Sequence, residues 1–143
     1  MKKQILAVVT AMMMLCALPI ATVHAEPELE EPVIETVVEE YSYTRAVSSV
    51  LTFSGSTASC QSSVDGYNNC TKIVGTQKLQ KKVLWWWSDV QTWSKTSYSN
   101  TLYMSNSATA TSSGTYRVRI DATVYGNDGG SETVYAVSTE KTK

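Results

Sequence analysis

Histidine is almost absent. His24 is the one copy in 143 residues, and it falls in a leading segment whose pattern marks it for removal. A chain without imidazole has no Ser-His-Asp or Cys-His nucleophile, no histidine zinc ligand and no side chain poised to trade protons near neutral pH. Cysteine is nearly as scarce, at three copies, and Cys16 belongs to the same leading segment. Cys60 and Cys70 alone are too few for a thiolate zinc site, so neither a metal nor another cofactor is expected. Charge is thin as well, at 17% of residues with a formal net charge of −1, which excludes nucleic-acid binding driven by bulk charge. The chain holds one long apolar run, Ile5 to Ile20, broken by Pro19. A bilayer-spanning helix needs about 20 such residues, so a membrane span is not expected.

What is present falls into three parts. Lys2 and Lys3, the apolar run, and Val23-His24-Ala25 supply the charged, apolar and small-residue regions of a secretory signal peptide, with cleavage expected after Ala25. Residues 1–25 are therefore read as a signal peptide and the protein as secreted and extracellular. Residues 26–44 follow as an acidic leader. Glu26, Glu28, Glu30, Glu31, Glu35, Glu39 and Glu40 stand beside Pro27 and Pro32, and like charges with prolines at that density oppose packing, so disorder is expected. Residues 45–143 keep six carboxylates (Asp65, Asp89, Asp121, Asp128, Glu132 and Glu140) against ten lysines and arginines.

This third part reads as all-β. Leucine is confined to Leu51, Leu79, Leu84 and Leu102, while Ser, Thr, Val, Ile, Tyr and Trp supply the bulk, a strand composition. The clearest strand has Tyr116, Val118, Ile120, Ala122 and Val124 at every second position, with Thr115, Arg117, Arg119, Asp121 and Thr123 between them, which gives one core face and one wet face. Gly126-Asn127-Asp128-Gly129-Gly130 is turn chemistry, and Glu132 to Ser138 returns as the other arm of a hairpin. Upstream, Val47, Leu51 and Phe53 share one parity, as do Ala58, Cys60 and Val64. Further strands are expected from Thr71 to Lys81 with Ile73 and Leu79 inward, from Trp87 to Ser94, and from Tyr98 to Ser105 with Leu102 and Met104 paired by parity. Seven short strands with frequent turns predict a Greek-key β-sandwich.

Gly114-Thr115-Tyr116-Arg117-Val118 resembles the entry to the sixth strand of immunoglobulin-like and fibronectin type III-like sandwiches. There, a tyrosine two residues before a core position closes a corner with its hydroxyl. Val118 stands where antibody domains carry a cysteine, so their inter-sheet disulfide is missing. With Cys60, Gly66, Leu79-Gln80-Lys81-Lys82, and Trp87, Val90 and Trp93, residues 45–138 are similar to small secreted sandwich proteins of Gram-positive bacteria. That resemblance implies the fold and export, and no chemistry.

Cys60 and Cys70, an even pair in an exported chain, are expected to form a disulfide. The carboxylates show no spacing that singles out a catalytic pair, and Asp65 and Asp128 sit in turn sequences, so enzyme activity is not expected. The unusual feature is the connection between the third and fourth strands. Lys81-Lys82-Val83-Leu84-Trp85-Trp86-Trp87 spans a hairpin tip without Gly, Asn, Asp or Pro. An extended chain sends Trp85 and Trp87 to one side and Trp86 to the other, so a one-sided core cannot hold all three.

Two outcomes are open. Trp87 and Trp93 could be core, Trp93 near Tyr116, with Trp85 and Trp86 covering a sheet edge in a purely structural module. Alternatively Leu84, Trp85 and Trp86 bind an extracellular glycan or protein, since indoles bring rigid area at little entropic cost. With Lys81 and Lys82 the same tip has the residue types of weak contact with a membrane surface. The expectation from sequence is a secreted, non-enzymatic recognition or surface-interaction module.

Overall fold

The computed structural model describes residues 40–143; the expected signal peptide and nearly all of the acidic leader lie outside the described residues. Eight strands follow in order: β1 (Thr44–Ser54), β2 (Thr57–Gly66), β3 (Cys70–Val83), β4 (Trp86–Ser97), β5 (Thr101–Thr109), β6 (Thr115–Gly126), β7 (Ser131–Val137) and β8 (Lys141–Thr142). One sheet runs β1-β2-β5, the other β4-β3-β6-β7, with β8 paired to β6. All pairings are antiparallel. The two sheets pack face to face as the expected all-β sandwich, and the β2–β3, β4–β5 and β5–β6 connections cross between them. The seven expected strands are present; β8 is added where Thr142 and Lys141 pair with Thr115 and Tyr116.

The alternation in β6 holds along its whole length, with Tyr116, Val118, Ile120, Ala122 and Val124 buried and their neighbours half-buried. Strand ends differ more. β3 continues to Val83 and β4 starts at Trp86, because the two strands satisfy each other's backbone groups out to the tip, and pairing rather than local propensity sets their length. Tyr98, expected to open the fifth strand, lies exposed in the connection before it. At the other end Tyr41 and Tyr43 pack against the core, and Glu132 accepts the backbone N–H groups of Ser42 and Tyr43, each at 2.9 Å. Ordered packing thus reaches into the last residues of the segment read as leader.

The core has two clusters. One gathers Val47, Val64, Ile73, Leu102, Met104, Ile120 and Val134. The other gathers Leu51, Ala58, Cys60, Leu79, Tyr116 and Val118. Between them lie Ser49 on β1, Ser62 on β2, Gln77 on β3 and Asn106 on β5. Each shares the inward parity of its apolar neighbours, so a polar layer crosses the sandwich at one level.

The expected disulfide is overturned, since Cys60 and Cys70 are both free and buried. A methyl group on Gly66 would stand 2.6 Å from Cys70 Cβ, which places Cys70 beside Gly66, while Cys60 lies six residues back along β2. At about 3.3 Å per residue that is roughly 20 Å, far beyond the ~7 Å Cα separation a disulfide can span. Burial pushes the Cys60 thiol up to about 11. The protonated thiol therefore stabilises the fold below the ordinary thiol value, and that contribution is lost as pH climbs through about 11. Titration of denatured, unreduced protein is expected to find both thiols, with Cys60 unreactive in native protein at neutral pH. A denatured protein in which neither reacts would contradict the register of β2 and β3.

Candidate functional site

Two hairpins of the sandwich close with two-residue loops, and they solve the same backbone problem differently. In the first, Ser54 pairs with Thr57 and Gly55 takes φ +58°. In the second, Val83 pairs with Trp86 and Leu84 takes φ +56°. A positive φ at the first loop position matches the twist of the flanking strands. Glycine reaches it freely, whereas Leu brings its Cβ against the following carbonyl at about 1 to 2 kcal/mol. Leu84→Gly is accordingly expected to leave stability unchanged or raise it by up to about 1 kcal/mol, the strain relief being partly offset by the greater freedom of glycine in the unfolded chain. Chemical denaturation checks this, and a loss above that size would place Leu84 in a supporting contact.

That strained turn carries apolar side chains into solvent. Leu84 is 72% exposed, Trp85 83% and Trp86 45%. The two indoles stand edge to face, with centroids 5.0 Å apart and planes at 80°. The tip residues expected from sequence are brought together, and Trp85 covers no sheet edge.

The lysines are not brought together with them. Lys81 is paired with Tyr116 and Lys82 with Trp87, so they point to opposite faces. Lys81 Nζ donates to Ser112 Oγ at 2.8 Å and hangs over the Tyr116 ring. Lys82 reaches Glu140 at 3.6 Å. Trp87, one of the two indoles that could have been core, lies instead on the outer face of the larger sheet, with the Arg117 guanidinium 4.0 Å and Lys82 Nζ 5.6 Å from its ring. Arg117 Nε donates to Gln80 Oε1 at 2.9 Å, and Gln80 Nε2 donates to Asp89 at 2.7 Å. The Gln80 amide, with Lys78 beside it, holds the Asp89 carboxyl below the usual carboxylate range.

Other carboxylates are committed to the fold in the same way. Asp121 takes Arg119, and Asp128 accepts from Tyr43 Oη and Gly130 N–H. Among the described residues no group of three His, Cys, Asp or Glu is placed to hold a metal.

A second feature went unnoticed in the sequence. β4 ends the larger sheet and β5 ends the smaller one, and between these two edges runs a groove of about 250 Å³ lined by Trp93, Lys95, Tyr103, Met104, Ser105 and Asn106. Trp93 packs against both core clusters. The signal available was parity: Gln77 shares the inward face of Ile73 and Leu79, and Asn106 that of Leu102 and Met104. Compared with known families and curated proteins, the chain matches no family model and no curated sequence.

Proposed function

We propose that this chain is a secreted extracellular recognition module, without catalytic chemistry, that engages a glycan or protein partner through Leu84, Trp85 and Trp86. The observation that carries the reading is the strained turn, where three large apolar side chains are held out on a paired, twisted hairpin that needs none of them for its own core. Exposed aromatic anchors on a rigid support are the residues that dominate interface energetics. The edge-to-face indoles form a wedge with Leu84 rather than one flat platform, which suits an apolar pocket in a protein better than a sugar face. Tethering of Lys81 and Lys82 to Ser112 and Glu140 speaks for such a pocket over a bilayer, where free lysines would meet headgroups.

The grouping of β1, β2 and β5 in one sheet and β3, β6 and β7 in the other supports an immunoglobulin-like or fibronectin type III-like sandwich, with β4 departing from the antibody constant-domain order by lying beside β3. The pattern of residues 1–25 supports export. Protein recovered from medium with Glu26 as its first residue checks export.

Joint replacement of Trp85 and Trp86 by alanine is expected to abolish capture of the partner while changing stability by less than about 1 kcal/mol, since tip residues add little to the core. Binding to surface-protein extracts, glycan arrays and anionic vesicles, each with wild type and variant, identifies the partner class. A double variant that binds like wild type in all three would sink the proposal.

A further inference from the structure

The groove between β4 and β5 is backed by a polar chain that the fold has no evident need for. Ser49 Oγ and Ser62 Oγ share a hydrogen bond at 2.8 Å. Gln77 Nε2 donates to Ser62 Oγ at 2.8 Å, and Asn106 Nδ2 donates to Gln77 Oε1 at 2.8 Å. Gln77 is fully buried. Apolar residues of similar volume at these positions would fill the layer with no polar group to satisfy, and such replacements are commonly neutral or stabilising. What an apolar layer could not do is orient Asn106. With one N–H of its amide held inward by Gln77, the Asn106 side chain is fixed at the groove that it lines, and that bond leaves Oδ1 and the second N–H unused.

The rest of the groove is equally ordered. Lys95 Nζ donates to the Tyr103 carbonyl at 2.8 Å, so the backbone groups of Tyr103 point away from β2, and by alternation along the strand those of Ser105 do too. Buried Met104 lies between them, and the Trp93 indole forms the opposite wall. The lining therefore combines an aromatic face with an amide and a backbone unit, each of which both donates and accepts, together with one ammonium and no carboxylate.

We propose that this groove is a saccharide site. A pyranose offers apolar C–H groups for the indole and hydroxyls that donate and accept in turn, which matches the lining. At about 250 Å³ the space is at the small end of ligand pockets, so it takes one ring of a longer glycan. Lys95 meets an oxygen substituent on that ring, whether hydroxyl, N-acetyl carbonyl or carboxylate. Gln77 is a positioning residue, acting through Asn106. The site lies apart from Leu84, Trp85 and Trp86, and its existence does not rest on the tip reading.

The test titrates the mature exported protein with two probes, an N-acetylglucosamine tetramer and a galacturonic acid tetramer, to about 10 mM, following side-chain N–H signals by NMR. The expected result is that at least one probe shifts the Trp93 indole and Asn106 amide signals, while those of Trp85 and Trp86 stay in place. Lys95→Met is expected to weaken the acidic probe more than the neutral one. Gln77→Leu is expected to weaken binding roughly tenfold or more with a thermal midpoint lowered by no more than about 10 °C, since Ser62 keeps its bond to Ser49 and Asn106 is half-exposed, a split that a merely structural glutamine would not produce. If Gln77→Leu fails to fold, Asn106→Ala at the half-exposed end of the chain is read instead, with the same expected loss. Absence of shifts with both probes, shifts confined to the tip, or full affinity in the folded variant would overturn the proposal. A failed tip experiment with these shifts intact would overturn the tip reading alone.

Discussion

Tyr116→Ala is expected to destabilise the sandwich by about 3 to 5 kcal/mol, the range for deleting a buried aromatic. Tyr116 is 1% exposed, at the head of β6 and inside the second core cluster. Its ring meets Phe53 edge to face at 5.6 Å, a contact worth about 0.5 to 1.5 kcal/mol beyond area burial. Its hydroxyl donates to the Ser112 carbonyl four residues upstream at 2.7 Å, the corner bond that the resemblance implied. Tyr116→Phe keeps the ring and removes the hydroxyl, with its bond to the Ser112 carbonyl and its 3.1 Å contact with Ser112 Oγ, both part-buried, so about 1 kcal/mol is expected. Urea unfolding of the two variants separates packing from hydrogen bond. Similar costs for Phe and Ala would mean that the hydroxyl, not the ring, holds this end of the sandwich.

Trp93→Ala carries the second large effect, about 3 kcal/mol. Trp93 lies on the inward face of β4 opposite Gln77 and is partly buried against both clusters, so its removal opens the open side of the sandwich along both. Because part of the ring already meets solvent, the cost falls at the low end of the range for aromatic deletions. Trp85→Ala is expected to change stability by less than about 1 kcal/mol, since the side chain is 83% exposed and its edge-to-face contact with Trp86 lies at the exposed tip. Guanidinium unfolding of the single variants checks the contrast. Equal losses for Trp85 and Trp93 would erase the distinction between tip and core that the proposed function relies on.

Arg117 shows how far alternation reaches and where it stops. Its place between Tyr116 and Val118 puts it on the outer face, and there it lies. An outer-face arginine is ordinarily expendable, yet Arg117 is half-buried, bonded to Gln80 and stacked on Trp87. Those contacts come from two other strands, and nothing within five residues of Arg117 announces them. The same holds for Trp87, whose parity opposite to Trp86 was legible but whose cover by Arg117 and Lys82 was not.

The sequence by itself determined which side chains share a face. Period-two alternation is written in neighbouring residues, so the inward sets of β1, β2, β3, β5 and β6, the turn after Gly126, the inward ring of Tyr116 and the apolar tip at Leu84, Trp85 and Trp86 could all be read locally. Beyond the β3–β4 and β6–β7 hairpins expected from sequence, only the tertiary structure decided which strands lie side by side. That choice sets Cys70 at the Gly66 end of β2, out of reach of Cys60, and sends Lys81 and Lys82 to separate anchors. It also leaves β4 and β5 as facing edges, with Trp93 and Asn106 across a groove. The physical reason is that strand pairing satisfies backbone groups that every residue carries alike, so the partner of a strand is selected by the packing of the whole sandwich rather than by the side chains along that strand.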